Sequence, residues 1–194
     1  MEYIVLDLEW NQAVSKRKIV KYPIRLNGEI VQIGAVKVNE NMEIIDVFNV
    51  YVKPIYYKKM NKNVSELTGI TTENLEEAIP FEEAIEKFRV WCNGSAFITW
   101  GLEDLRILDD NMYIHSIDSS WLPETYDAQE IFDDQITMEG RQFALSYAIY
   151  YFNIKPFEAH DALNDTLNTV KVLQKLDFAQ GIREQREYYY AAMA

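Results

Sequence analysis

The chain has 194 residues, 48% of them hydrophobic, which is enough for the core of one ordinary domain and too little chain for two. Its single cysteine, Cys92, excludes an internal disulfide and a cysteine zinc cluster, so we expect a reducing, cytoplasmic compartment. The formal net charge of −12 counts against a protein that coats long nucleic acids, because such binding depends on neutralised phosphates.

The first predicted element is a strand at residues 3–10. Apolar residues recur there at every second position, as a half-buried strand requires: Ile4, Leu6 and Leu8. Side chains two apart on a strand share a face, so Asp7 and Glu9 project together. Because this strand begins at the third residue and no apolar run approaches about 18 residues, we predict neither a signal peptide nor a membrane span.

The acidic pair of Asp7 and Glu9 has two interpretations. By itself, an Asp-x-Glu pair at a strand end is most simply a solvated pair of acids. The alternative is a cation site, because two like charges held side by side repel unless water or a cation screens them. Carboxylate oxygens are the ligands that a hard divalent cation prefers, so further acids nearby in the fold would favour the second interpretation.

Two further strands are predicted at residues 29–38 and 43–53. Asn27-Gly28 is a turn signal before the first of them, and Pro54 closes the second. The connection at residues 11–28 is long and basic, with five positive residues: Lys16, Arg17, Lys18, Lys21 and Arg25. Three strands adjacent in the chain predict an antiparallel meander.

A third acid stands at a strand-to-helix junction. Asp104 follows a predicted strand at residues 96–100 and opens a predicted helix. An earlier helix is indicated by an apolar stripe of four residues: Phe81, Ala84, Ile85 and Phe88. A short strand is predicted near residues 126–128, so the later part of the chain alternates strand and helix, which is typical of parallel strands flanked by helices.

The last predicted helix carries an apolar stripe and an acid near its start. The stripe consists of Leu163, Leu167, Val170, Leu173 and Leu176. His160 and Asp165 are five residues apart, about 140° around an ideal helix, so both cannot lie on one helical face. We therefore place His160 in the entering loop, Asp161 at the N-cap and Asp165 in the first turns. Asp161 then fits a cap better than a metal ligand.

Taken together, these residues resemble the DEDDh 3′-to-5′ exonucleases, a family with a ribonuclease H-like fold. The matching segments, in chain order, are Asp7 with Glu9, Glu66-Leu67-Thr68-Gly69-Ile70-Thr71, Asp104, and His160 with Asp165. The context Trp100-Gly101-x-x-Asp104 looks closest to the enhanced-RNAi-type branch. Without the other motifs, the segment at Gly69 would be an ordinary helix end. The resemblance covers about residues 1–177, and we predict an exonuclease domain at 1–180 followed by a helical extension at 181–194.

The resemblance implies an α/β fold with a mixed five-stranded sheet flanked by helices, and a site that binds two divalent cations, Mg²⁺ or Mn²⁺. By that resemblance Asp7, Glu9 and Asp165 hold one cation, Asp7 bridges to the second, and Asp104 holds the second through water. His160 would take the proton from the attacking water. The positions expected to contact the substrate are Trp10, Leu67, Thr68 and Trp100; many relatives have a small residue where Trp10 stands.

The implied activity is release of nucleoside monophosphates from the 3′ end of single-stranded RNA or DNA, with RNA or short oligonucleotides preferred. The acidic net charge is compatible with this, because bound cations reverse the local sign and a few terminal nucleotides need no long basic track. We expect the substrate to be gripped near residues 16–25 and 53–62. The alternatives are a catalytically silent nucleic-acid-binding or regulatory module and a polymerase-associated proofreading subunit.

Overall fold

The computed structural model describes the backbone of residues 1–193 and the side chains of residues 1–188 and 191. Its strands are β1 (Glu2–Asn11), β2 (Glu29–Asn39), β3 (Ile44–Tyr51), β4 (Ala96–Thr99) and β5 (Thr125–Asp127). The α-helices within that range are α1 (Lys62–Thr68), α2 (Phe81–Cys92), α3 (Glu103–Ile114), α4 (Ala128–Phe132), α5 (Leu145–Tyr151), α6 (Ala162–Leu173) and α7 (Phe178–Met193). Each strand lies within a few residues of its predicted position.

The strands form one mixed sheet in the order β3-β2-β1-β4-β5. β2 is antiparallel to both β1 and β3, whereas β1, β4 and β5 are parallel to one another. The predicted mixed five-stranded sheet with flanking helices is therefore confirmed. Its central strand is β1, which carries Asp7 and Glu9 and is covered from both faces of the sheet.

The prediction that β1 is half-buried is wrong. Ile4, Leu6 and Leu8 pack into a core cluster with residues of α2 and α3, and the alternate residues Tyr3 and Val5 are also buried, against α6 and α7. The reason is topological, because a strand in the parallel part of a sheet has helices on both of its faces. The second face becomes polar only at Asp7 and Glu9.

The predicted order of elements omits α1 and α4. These helices have seven and five residues, too few for a helical period to appear in the sequence. Asp127 caps α4, since its side chain accepts hydrogen bonds from the backbone nitrogens of Gln129 and Glu130. α1 ends at Gly69, whose φ of 72° is the left-handed conformation that a helix C-terminus favours.

α7 packs against the sheet and against the start of α4. Phe178 and Ile182 are buried in the same cluster as Tyr3, and the buried Gln185 side chain bonds to both the backbone N–H and the carbonyl of Asp127. The predicted division at residue 181 falls inside α7 and stays a prediction; residue 194, the last of the predicted extension, lies outside the described residues. None of the described helices has the length and apolar character needed to cross a membrane.

Candidate active site

Asp7 and Glu9 lie on the face of β1 that α6 covers. They continue the row of Tyr3 and Val5, and both are partly buried. In the antiparallel ladder Asp7 is opposite Gly34 and Glu9 is opposite Gln32. This half of the site is therefore set by the backbone of the central strand and needs no loop to form it.

Asp104 joins this pair through a direct bond to β1. The parallel pairing of β1 with β4 reaches only Val5 and Ile98, so the N–H of Leu8 lies beyond the strand ladder. The Asp104 carboxylate accepts a hydrogen bond from that N–H at 3.0 Å. Asp104 is buried in the first turn of α3, so its carboxylate is fixed to the central strand.

The third segment places His160 and Asp165 together. His160 lies in the loop before α6 with a φ of 65°, and its backbone N–H donates to Asp165 Oδ2 at 2.9 Å. Asp161 caps α6, since its side chain accepts from the backbone nitrogen of Asn164 at 3.0 Å. The predicted entering loop and N-cap are confirmed, and the main chain ties His160 to Asp165.

Gln32, for which no role is predicted from the sequence, fixes the start of α6. It is fully buried on β2; its side-chain nitrogen donates to Asp161 Oδ2 at 2.9 Å and its oxygen accepts from the backbone of Ala162 at 3.2 Å. Its second amide proton goes to Asn49 Oδ1 at 3.0 Å. The sequence contains one sign of this role: Gln32 is the single amide in the apolar run of residues 30–36, and a buried amide requires hydrogen-bond partners.

Within the described chain, the ligand atoms of Glu9, His160 and Asp165 all lie within 4.8 Å of one another. Two carboxylates and an imidazole at that spacing fit a divalent cation that accepts oxygen and nitrogen ligands. Asp7 and Asp104 are not members of this closest group but adjoin it, since the charge of Asp104 acts on both Glu9 and Asp7, and the charge of Glu9 acts on Asp7. The five residues predicted from widely separated motifs therefore lie at one site.

Burial and mutual repulsion hold protons on these acids in the absence of a cation. Burial, with the charges of Asp165 and Asp104, raises the pKa of Glu9 to about 8. Burial also raises the pKa of Asp104 to about 7, against the lowering effect of the Leu8 N–H, and raises that of Asp7 well above its usual range. Such a cluster lacks positive charge, which a bound divalent cation would supply.

A family model described as Exonuclease (RNase_T) matches residues 4–173. The chain belongs to this exonuclease family. The resemblance seen in the sequence is confirmed at this level, and the fold is the ribonuclease H-like fold of DEDDh exonuclease domains. The assignment of the five clustered side chains to the family's motif positions stays a prediction.

Two relatives and one solved structure illustrate the similarity. The exonuclease is 26% identical to the "Probable 3'-5' exonuclease KapD" of Bacillus subtilis, over 90% of this chain and 83% of the relative. It is 25% identical to a DNA polymerase III PolC-type of Thermotoga petrophila, over 89% of this chain but only 13% of that protein. The nuclease domain of 3'hExo, a DEDDh family member bound to rAMP, superposes with a TM-score of 0.76 at 19% identity, over 90% of each chain.

Two of the four predicted substrate contacts lie beside His160. Leu67 and Thr68 line a cavity of about 540 Å³ together with His160, Asn164 and Tyr51. Leu67 is 56% exposed, whereas the Thr68 hydroxyl donates to the Val64 carbonyl of α1 and accepts from the Ile70 N–H. Leu67 is thus available to a ligand, and Thr68 shapes the turn.

The other two predicted contacts are placed elsewhere. Trp10 packs against the core cluster of Leu8, with its ring over Gly28, where an added Cβ would lie 2.3 Å from the indole. Trp100 is half-buried, and its indole N–H donates to the Phe143 carbonyl at 2.9 Å. The structure does not bring either ring into the cavity beside His160, and contact of either one with substrate stays a prediction.

The raised pKa of Glu9 gives a pH-dependent stability in the exonuclease without cations. A proton bound more tightly in the folded state contributes stability that is complete below pH 4.5 and is lost as the pH rises through about 8. We expect the unfolding temperature in EDTA to fall by several degrees as the pH rises from about 4.5 to about 8. Glu9→Gln should flatten the fall and Mn²⁺ should reverse it; equal falls in both proteins would contradict the assignment.

Gly34 sets the distance between β2 and α6. A Cβ on this residue would lie 2.3 Å from main-chain atoms of Ala162 and Leu163, which cannot give way as a side chain can. We expect Gly34→Ala to cost about 1–3 kcal/mol of stability and to weaken Mn²⁺ binding, because α6 carries Asp165. Melting and calorimetric titration measure the two effects.

The matched control for Gly34→Ala is Gly181→Ala. The three atoms nearest to an added Cβ at Gly181 all belong to the Ile131 side chain, the first at 2.6 Å. We expect this variant to lose stability while keeping Mn²⁺ affinity. Unchanged Mn²⁺ affinity in both variants would show that the packing of α6 on β2 does not position the site.

Proposed function

We propose that this exonuclease is a divalent-metal-dependent 3′–5′ enzyme that releases nucleoside monophosphates from the 3′ end of single-stranded nucleic acid. The observation that carries the proposal is the convergence of Glu9, His160 and Asp165 within 4.8 Å, next to Asp7 and Asp104. These side chains come from β1, from α3 and from the segment at the start of α6. Acids that were simply solvated at the surface would be exposed, whereas the four acids of this cluster are partly or fully buried.

The proposed roles follow from the chemistry of the side chains. Asp7, Glu9, Asp104 and Asp165 would hold two divalent cations, Mg²⁺ or Mn²⁺. When bound, such cations supply Lewis-acid stabilisation of the attacking and leaving oxygens of a phosphodiester. Backbone N–H groups orient two of the acids, because the Leu8 N–H donates to Asp104 and the His160 N–H donates to Asp165.

His160 is the proposed general base. Its imidazole is exposed on a loop, so a water molecule and the scissile phosphate can reach it. Imidazole is the side chain that most often acts as a general base, so it can accept a proton from the attacking water. The backbone bond from His160 to Asp165 keeps this base beside the acidic cluster while its ring stays free.

The proposed substrate is RNA in preference to DNA, with the terminal nucleoside in the cavity lined by Leu67, Thr68 and His160. The DEDDh neighbour bound to rAMP supports a ribonucleotide at this site. The similarity to a DNA polymerase III PolC-type supports a second candidate, a proofreading activity on DNA. The sequence-based prediction of a cytoplasmic location belongs to the same proposal.

Digestion of matched 5′-labelled single-stranded RNA and DNA tests the proposal. We expect a ladder that shortens from the 3′ end with Mg²⁺ or Mn²⁺, disappears in EDTA, and is absent from the Asp7→Asn variant. The ratio of the RNA and DNA rates decides between the two substrates. Binding of both strands without shortening under any cation would favour the silent-module alternative.

A further inference from the structure

Two segments of this acidic protein contain no acid at all. Residues 10–28 and 47–65 together carry nine lysines and arginines and no aspartate or glutamate. The remaining residues hold ten basic side chains against 31 acidic ones. A strongly biased segment within an oppositely charged chain indicates a surface that is used for its charge.

The fold joins these segments into one surface. The Asn11 side chain donates to the carbonyls of Tyr57 and Lys59 at 2.7 and 3.0 Å, and it accepts from the Asn61 N–H at 2.8 Å. The Tyr57 hydroxyl, in turn, donates to the Leu26 carbonyl at 2.6 Å. Asn11 and Tyr57 are both buried, so these bonds connect the two segments from within.

A buried carboxylate holds the second segment in place. Glu29 is 3% exposed, and its oxygens accept hydrogen bonds from the successive backbone nitrogens of Ile55, Tyr56 and Tyr57. The lysines that follow therefore project from an ordered loop. We call the exposed positive side chains of the two segments the basic surface: Lys16, Arg17, Lys18, Lys21, Arg25, Lys53, Lys58, Lys59 and Lys62.

The charges of the basic surface are not neutralised within the described part of the protein. Among its members, Lys62 has an ion pair, with Glu66 at 3.6 Å, and no described carboxylate lies within 4.0 Å of the others. Elsewhere, three arginines on α2, α3 and α7 are paired with glutamates: Arg89, Arg106 and Arg186. Lys16 and Arg25 also line a cavity of about 320 Å³ with Ser15 and Gln12.

The basic surface begins where the acidic site ends. Asn11 is two residues beyond Glu9 on β1, a separation of roughly 7 Å along a strand. On the other side, α1 runs from Lys62 directly to Leu67 and Thr68, which line the cavity beside His160. A single polyanion can therefore contact the cavity and the basic surface together.

We propose that the basic surface binds the sugar–phosphate backbone of the substrate on the 5′ side of the nucleotides being removed. This inference rests on the proposed function, because it assumes that the strand's 3′ end lies beside His160. Contacts of lysine and arginine with phosphates carry no sequence preference and depend on salt. The surface thus favours strands longer than the few nucleotides that the cavity holds.

The test compares double variants that each remove two positive charges. Lys16→Gln/Arg17→Gln and Lys58→Gln/Lys59→Gln probe the two segments, and Lys175→Gln/Arg183→Gln removes two exposed charges elsewhere. Fluorescence anisotropy in EDTA measures binding of a labelled twenty-nucleotide single-stranded RNA. Steady-state hydrolysis with Mn²⁺ compares that strand with a dinucleotide.

We expect each basic-surface variant to bind the long strand about tenfold more weakly and to lower the slope of log affinity against log salt by about 1.4. Turnover of the dinucleotide should stay unchanged, and the Lys175/Arg183 control should behave like the unaltered protein. Equal binding by all variants, or dinucleotide turnover falling as much as that of the long strand, overturns the proposal. An unaltered protein that does not bind the strand also overturns it and points to an acidic protein partner.

The binding and hydrolysis measurements separate this proposal from the proposed function. If the unaltered protein cleaves neither strand nor dinucleotide, the proposed function fails. Anisotropy still decides whether the basic surface binds nucleic acid, because that measurement requires neither cation nor hydrolysis. If cleavage occurs but the basic-surface variants bind the long strand as tightly as the unaltered protein does, the proposed function stands and only the role of the basic surface is wrong.

Discussion

Asp7→Asn is expected to lower exonuclease activity by roughly 10³-fold, the scale at which removal of a preorganised charge slows an enzyme. Asp7 lies on the central strand, and its charge interacts with those of Asp104, Asp165 and Glu9. An amide at this position keeps the shape of the side chain but offers a much weaker ligand for a hard cation. Hydrolysis of a labelled strand with Mn²⁺ measures the loss.

The same substitution should make the cation-free protein more stable. Burial and the neighbouring acids raise the pKa of Asp7 well above its usual range, so its ionised form is unfavourable in the folded protein. The neutral amide removes that cost, and we expect a higher unfolding temperature in EDTA above neutral pH. The stabilisation by Mn²⁺ that a cation-binding protein shows should shrink at the same time.

Asp161→Asn is the matched control, because it is the same chemical change a few residues from Asp165. Asp161 caps α6 and accepts from Gln32, and both contacts are structural. We expect this variant to melt at a lower temperature and to keep most of its activity. Full activity of Asp7→Asn, or loss of activity in Asp161→Asn comparable to that expected for Asp7→Asn, would mean that the acids are wrongly assigned.

The strands and the five clustered residues could be predicted from the sequence because each has a local signal. Alternation of apolar residues marks β1, and the cap at Asp161 separates the loop with His160 from the helix with Asp165. Which acids meet in space followed from the family resemblance, since spacing along the chain does not place Asp104 beside Leu8. The N–H that Asp104 satisfies is free only because β4 ends early.

The residues that hold the site together could not be predicted, because they act through contacts between elements that are far apart in the sequence. Gln32 and Gly34 belong to β2, and their partners at the start of α6 lie about 130 residues further along the chain. The burial of β1 on both faces depends on the same packing of α6. Trp10 and Trp100 are expected to contact the substrate; both rings pack partly against core clusters, and their contact with substrate stays a prediction.

The positive charges of the basic surface can be predicted from the sequence, but the way the fold joins them cannot. The basic residues of the connection at 11–28 are apparent in the sequence, from which residues 16–25 and 53–62 are expected to grip the substrate. That the two regions form one surface depends on the Asn11 amide and the Glu29 carboxylate, which are buried polar groups without a motif. Buried polar groups of this kind fix long-range geometry because their hydrogen bonds must be satisfied.

His160→Ala is expected to lower kcat by about 10²–10⁴-fold, the usual contribution of a general base. The loop should survive, because it is the backbone N–H of His160 that bonds to Asp165. His115→Gln is the matched control: its ring lies between Tyr56 and Phe81 and bonds to Glu82, so its loss should affect stability and leave the rate unchanged.

The ring of His160 lies within 4.8 Å of ligand atoms of Glu9 and Asp165, so it could act either as a base or as a cation ligand. The two roles differ in what a cation titration shows. If His160 is the base, His160→Ala binds Mn²⁺ as tightly as the unaltered protein, and added imidazole restores part of the rate. If it is a ligand, Mn²⁺ affinity falls and the lost rate returns at high Mn²⁺. If His160→Ala cleaves at the unaltered rate without added imidazole or extra Mn²⁺, both roles are excluded, because the reaction then does not need the imidazole of His160.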